Sequence, residues 1–277
     1  MGSTPDERAL RAIPAIRTKL TELRALASES VANVRFSQDD HFAFMGVLFH
    51  AKQLEHADGV LRLGDHPDAS LIARSMMEGL WQLKWAAQAP SERAEQWRAF
   101  SIIYDWRILQ EKIATNSPEL TDERKRRIEG RLDEVHDTFI TRSALKLAGK
   151  GEAPPSDPYQ RTWSGQTARS LAEATGGIAL YTGPYSTFSD RHHWSPAGLG
   201  YGIQQDGTKL FYDGKAPSTE ATALSVAFEC LWECSIVLAE HLGTGYDDRL
   251  MDLADVYTRE HKQREELHEH ATAPGAG

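Results

Sequence analysis

Cysteine is scarce: the chain has two in 277 residues. Cys230 and Cys234 stand four apart in a helical stretch and share a face, which suits a disulfide poorly and fits a reducing compartment. They read as small buried hydrophobes. Long apolar runs are lacking too. The most apolar one, Phe42 to Phe49, falls well short of the roughly 18 residues a membrane span needs, and His50 and Lys52 follow at once. The opening "MGSTPDERAL" offers no apolar signal segment, and Asp6 stands where myristoylation needs Ser or Thr. Positive charge is also in short supply. Lys and Arg number 31 against 40 Asp and Glu, a formal net charge of -9, which gives no electrostatic reason for non-specific DNA binding. These absences lead us to expect a cytoplasmic protein with no membrane partner.

Several chemical signatures are missing as well. There is no P-loop, no GxGxxG after a strand, no Gly-x-Ser-x-Gly and no zinc-type cysteine spacing. A carboxylate-bridged di-metal bundle needs Glu-x-x-His on its interior helices. Here the nearest approach, "EELHEH" (Glu265 to His270), lies in the charged C-terminal segment. No metal and no cofactor are expected. The Arg-then-His spacing of HEPN-type helical ribonucleases occurs three times, as Arg35/His41, Arg131/His136 and Arg264/His270. With 11 histidines in the chain, chance alone supplies about that many.

What is present is helix, nearly end to end. Thr4, Pro5 and Glu7 form a capping signature for a helix reaching about Val34, with a bend at Pro14. Ser37 to Asp40 caps a second helix that stops at Gly64. "HPDASL" opens a third, ended by Pro90. Ser91 caps a fourth, running to about Thr115. Pro118 opens a fifth, whose "DERKRRIEGRLDEVHD" reads as a solvated face. Residues 149–165 form a Pro/Gly-rich loop or linker. Short helices follow at about 166–174 and 185–192, then a β-hairpin at 201–212 turning on Asp206-Gly207. A long apolar helix spans about 218–242, and a charged one about 247–268. Residues 271–277 read as a disordered tail. The fold expected is all-α: a single domain over residues 1–270, with seven to nine helices in a bundle-like arrangement and one small hairpin insertion.

Three places could carry chemistry. On the third helix Ile72, Met76, Leu80, Leu83 and Ala87 form an apolar stripe. The other side holds Arg74, Glu78 and Gln82 beside Trp81 and Trp85, so it too expects protein cover. Arg74 and Glu78 are four apart and can pair, either as a structural ion pair or as a guanidinium aimed at an anion. On the long apolar helix, Glu229, Glu233 and Glu240 make a narrow acidic stripe, a solvent edge or the wall of a polar pocket. His50 shares a face with Ala43, Gly46, Gln53 and Ala57; such small residues imply a close neighbour, and the default is a satisfied core histidine. Finally, "FSDRHHWSP" (residues 188–196) crowds Ser189 and His193 onto one helical face, with Tyr185 a turn earlier.

"LIARSMMEGLWQLKW" (Leu71 to Trp85) and "YSTFSDRHHWSP" (Tyr185 to Pro196) resemble the bacterial domain-of-unknown-function family 5677. Arg74 and Glu78 match its Arg-x-x-x-Glu helix; Tyr185, Phe188, Ser189 and His193 match its later element. The resemblance covers roughly residues 40 to 240 and implies a helical fold, a general likeness to defence and toxin-type proteins, and a site. Three functions fit these residues. One is a metal-independent hydrolase acting on RNA or another phosphodiester, with His193 as acid/base, Arg74 stabilising negative charge and Glu78 orienting it. In that site Tyr185, Ser189, Trp81, His50, Glu229 and Glu233 would surround the substrate. A second is a non-catalytic binder of a small anionic ligand at the same pocket. The third is an interaction protein, homodimeric or otherwise, whose polar cluster is structural.

Overall fold

The computed structural model describes residues 4–118, 120–193, 203–206, 208–212 and 216–272. The helical reading holds: the fold is all-α, with one small hairpin, but the described residues form twelve helices and a π-turn rather than seven to nine helices, because several expected stretches break into short pieces. The chain packs as two compact units. One comprises Met1–Ala87 with Ala168–Gly277, the other Gln88–Thr167.

The first unit opens with α1 (Pro5–Val31), which starts on the expected capping box between Thr4 and Glu7 and runs unbroken through Pro14. α2 (His41–Leu63) is capped by Asp40, whose side chain accepts from the Ala43 amide, and ends at Gly64, at a φ of 62° that glycine adopts freely. α3 (Ala69–Ala87) follows a short turn. The wall on which these three helices pack is α11 (Pro217–Leu242). Its length and composition would suffice to cross a membrane, yet Leu224, Ala227, Phe228, Leu231, Cys234 and Leu238 are buried in the protein core. α12 (Asp247–Thr272) packs on α1 and α11. It runs past the expected end near 268 and takes in the first two residues of the expected tail; 273–277 lie outside the described residues.

Close approach explains the small-residue face of α2. A Cβ on Gly46 would stand 2.7 Å from Leu238 Cδ1 on α11. A glycine there lets the two backbones come together. Ion pairs tie the ends: Arg17 of α1 reaches Glu220 of α11 at 2.7 Å and donates to the Leu61 carbonyl of α2 at 2.8 Å. α8 (Ala168–Ala174), α9 (Ile178–Leu180), a π-turn (Tyr181–Tyr185) and α10 (Ser186–His192) come next. The hairpin pairs β1 (Ile203–Asp206) with β2 (Lys209–Tyr212), Ile203 opposite Tyr212 and Asp206 opposite Lys209. This is the expected hairpin; 201, 202 and 207 lie outside the described residues.

The second unit departs more from expectation. The single helix read over 91–115 is two, α4 (Pro90–Ala99) and α5 (Ser101–Ala114), meeting at Phe100, whose ring is buried. Pro90 opens α4 rather than closing α3, in the first-turn position where its missing N–H costs nothing. α6 (Asp122–Phe139) is capped by Thr121 rather than opened by Pro118. A further short helix, α7 (Arg142–Ala148), is capped by Thr141. The Pro/Gly-rich stretch is a surface loop pinned to this unit. The Thr141 amide donates to the Pro158 carbonyl and the Gln160 amide to the Phe139 carbonyl, each at 2.8 Å. Arg107 holds Asp157 at 2.9 Å, and Tyr159 packs edge-on against Trp106.

Candidate functional site

On α3, Arg74, Glu78 and Trp81 sit at i, i+4 and i+7 and project from one face. What covers that face is decided by Pro184. A proline has no N–H, so the regular helical bond at that position cannot form, and the chain widens into the π-turn Tyr181–Tyr185. The turn packs on α3 and delivers Tyr185 to the Arg74/Glu78 pair.

The three polar groups close a triangle. Arg74 Nη2 lies 3.1 Å from Glu78 Oε1 and donates to Tyr185 Oη at 3.2 Å. Tyr185 Oη donates in turn to Glu78 Oε1 at 2.7 Å. The guanidinium also lies over the Tyr185 ring, 5.0 Å from its centroid. Burial pushes the Tyr185 hydroxyl above its ordinary pKa; the bond from Arg74 opposes this and the bond to Glu78 adds to it. The phenol therefore stays protonated, as the donor Glu78 needs. Arg74 is 21% exposed and Glu78 39%, so the cluster borders solvent.

Beneath it lies an aromatic layer. Trp81 is 1% exposed and packs 5.2 Å from Tyr185 and 6.1 Å from Tyr181, which stack on each other at 5.1 Å. The expected protein cover over this side of α3 is thus present. Gly177 makes it fit: a Cβ there would stand 2.2 Å from Trp81 Nε1.

The other expected residues lie apart from the triangle. Ser189 turns back on its own helix and donates to the Tyr185 carbonyl at 2.8 Å, the usual local bond of a helical serine. His193 follows the last residue of α10 in a non-helical conformation, exposed, its ring 5.1 Å from that of His192. Among the described residues it makes no hydrogen bond or ion pair with Arg74 or Glu78. Trp194 to Pro196 lie outside the described residues.

His50 is a core histidine, as expected, but only half satisfied: Nε2 has a partner, while Nδ1 is buried without one. Ser235 Oγ donates to the Leu231 carbonyl at 2.7 Å, so the contact of 3.1 Å between His50 Nε2 and Ser235 Oγ has the ring as donor. Burial pulls its pKa down to about 4, and the ring is neutral. On α11, Glu233 pairs with Lys84 of α3. Burial and then the charge of Glu233 raise the Glu229 carboxyl, opposed by Lys84. Glu240 is exposed, so the acidic stripe is a wall against α3 at one end and a solvent edge at the other. Among the described residues no three of His, Cys, Asp and Glu gather as metal ligands would.

Of the Arg/His pairs, Arg131/His136 splits across α6: His136 bonds Tyr159 Oη at 2.9 Å, while Arg131 lines a groove against α5. Sequence reasoning passed over that groove and the aromatic layer. The recurrence of Arg124, Arg127 and Arg131 at i, i+3 and i+7 was the available signal for the first. For the second, Trp81 announced a need for cover, but nothing in the spacing named Tyr181 as part of it.

Comparison with curated proteins and with solved structures gives no match in either set. Residues 43–209, from α2 through the start of β2, match the family described as "Family of unknown function (DUF5677)"; that is more than half of the chain, and the protein belongs to this family.

Proposed function

We propose that the protein is a non-catalytic binder of a small anionic ligand, with Arg74 as the anchoring cation. The observation that carries this is the way the guanidinium is held. One nitrogen, Nη2, is fixed by both Glu78 and Tyr185, and the group is stacked over the Tyr185 ring. The other terminal nitrogen, Nη1, has no bond to a described residue and is not among the buried unpaired atoms. A guanidinium so held keeps the two N–H groups of Nη1 available with their ordering cost already met, while Nε is buried without a partner. The hydrolase reading lacks its acid/base: His193 makes no described hydrogen bond or ion pair with Arg74 or Glu78, and Tyr185 holds its proton for Glu78. That favours binding over catalysis.

The test is thermal unfolding in citrate, sulfate or phosphate against chloride at matched ionic strength, for the wild type and Arg74→Gln. Ligand at about a hundred times its Kd adds about 2.7 kcal/mol of stability, a rise in Tm of roughly 5 °C for a chain of this size. We expect at least one anion to raise the wild-type Tm and to lose that effect in Arg74→Gln. If the variant responds to every anion as the wild type does, Arg74 is no anchor and the triangle is a structural clamp.

A further inference from the structure

In the second unit, α5 and α6 enclose a groove of about 80 Å³ lined by Ile102, Asp105, Arg124, Arg127, Ile128 and Arg131. The arginines stand at i, i+3 and i+7 of α6, so one helical face presents all three. Ile102 and Ile128 are buried and form its apolar floor. Arg124 and Asp105 are half-buried, and Arg127 and Arg131 exposed. Among the described residues none of the three guanidinium groups has an ion-pair or hydrogen-bond partner. This contrasts with Lys125 on the same helix, which reaches Glu129. In a chain of net charge -9, three arginines gathered without carboxylate partners are a departure that composition does not explain.

We propose that this groove is a binding site for a phosphate group, taken either as free inorganic phosphate or as a compact phosphomonoester. Three features fit that ligand. Three arginines against Asp105 leave the lining with a net charge of +2, and a phosphate group carries about -1.5 to -2 at pH 7. Guanidinium forks match tetrahedral oxyanions bidentately, which lysines do not. The space would hold a few waters or one compact oxyanion, and is too small to enclose a length of nucleic-acid strand. The buried isoleucines at the floor lower the local dielectric and strengthen each charge-assisted bond. Asp105 has a distinct part. It repels an incoming anion, so it weakens affinity while keeping the empty arginines from repelling one another unopposed.

The site shares no residue with the Arg74 triangle, so the two are separable. Titration calorimetry on the full chain at low ionic strength would use inorganic phosphate and O-phosphoserine as probes. The wild type should bind at least one saturably. Arg127→Gln/Arg131→Gln should weaken binding about tenfold or more and Asp105→Asn should tighten it, both measured also in the Arg74→Gln background, where any phosphate held at the triangle no longer contributes. Both altered arginines are exposed, and circular dichroism confirms folding; if the double variant does not fold, the single Arg131→Gln and Asp105→Asn carry the test. Tighter binding of O-phosphoserine identifies an organic phosphate as the ligand, and equal binding identifies free phosphate. No saturable binding by the wild type, undiminished binding by the double variant, weakening by Asp105→Asn, or loss confined to Arg74→Gln would each overturn the proposal.

Discussion

The hydroxyl of Tyr185 serves two charged groups at once, accepting from Arg74 and donating to Glu78. Tyr185→Phe keeps the ring against Trp81 and removes only those two bonds. Hydrogen bonds to charged groups contribute about 1.5–3 kcal/mol when enclosed, but Glu78 borders water and can be re-solvated. The expected loss is therefore about 1–2 kcal/mol, read from urea unfolding; a change under about 0.3 kcal/mol would mean the phenol is idle. His193→Ala is exposed and should stay within about 0.5 kcal/mol of wild type. It should also leave any anion response intact. His50 gives a residue-scale prediction in pH. The folded ring titrates at about 4, the unfolded one near 6.5. Between those values the unfolded chain takes up a proton and the folded chain does not, so stability is full above about 6.5 and falls as pH drops towards 4. The loss approaches about 3 kcal/mol and levels off below the folded value. His50→Gln, which can still donate to Ser235, should lack this component when unfolding is compared at neutral pH and near pH 4.5.

Among the elements, the π-turn decides what α3 can do. Arg74 pairing with Glu78 was legible from a spacing of four, and so was the need to cover Trp81. The element providing the cover was not, because Tyr185 lies more than a hundred residues away and no periodicity links it to α3. Likewise Lys84 and Glu233 look like unrelated charges until α3 and α11 pack. Phe100 shows why a boundary was lost: its backbone stays in the right-handed helical region, so neither Gly nor Pro marks the break. Ser189 shows a local effect that spacing does not convey, since a helical serine finds its own backbone first. The docking of the turn is testable at Gly177. Gly177→Ala drives a methyl into the indole of a fully buried Trp81, and overpacking of this kind costs about 1–3 kcal/mol. The near-UV circular dichroism of the tryptophans should change with it. Unchanged stability and spectrum would show that the turn can lift off α3 at little cost.

At the scale of the molecule, α11 is the helix on which the first unit depends, and it carries both cysteines. Cys230 and Cys234 are fully buried, and burial pushes both thiols well above their ordinary pKa. Since the thiolate is the reactive form, neither should react with a thiol reagent until α11 is exposed. Exposure requires α1, α2 and α3 to part from it, which amounts to unfolding that unit. Labelling at mildly alkaline pH should therefore be slow in the native protein. Both cysteines should react together, with a protection free energy equal to the stability measured by urea. A ligand bound only to the folded unit shifts the same equilibrium: at about ten times its Kd it should slow labelling roughly tenfold. An anion held by Arg74 would show this slowing, and Arg74→Gln would abolish it. One cysteine reacting ahead of the other, at a rate insensitive to urea, would show that α11 opens locally and that the core of this unit is looser than its packing implies.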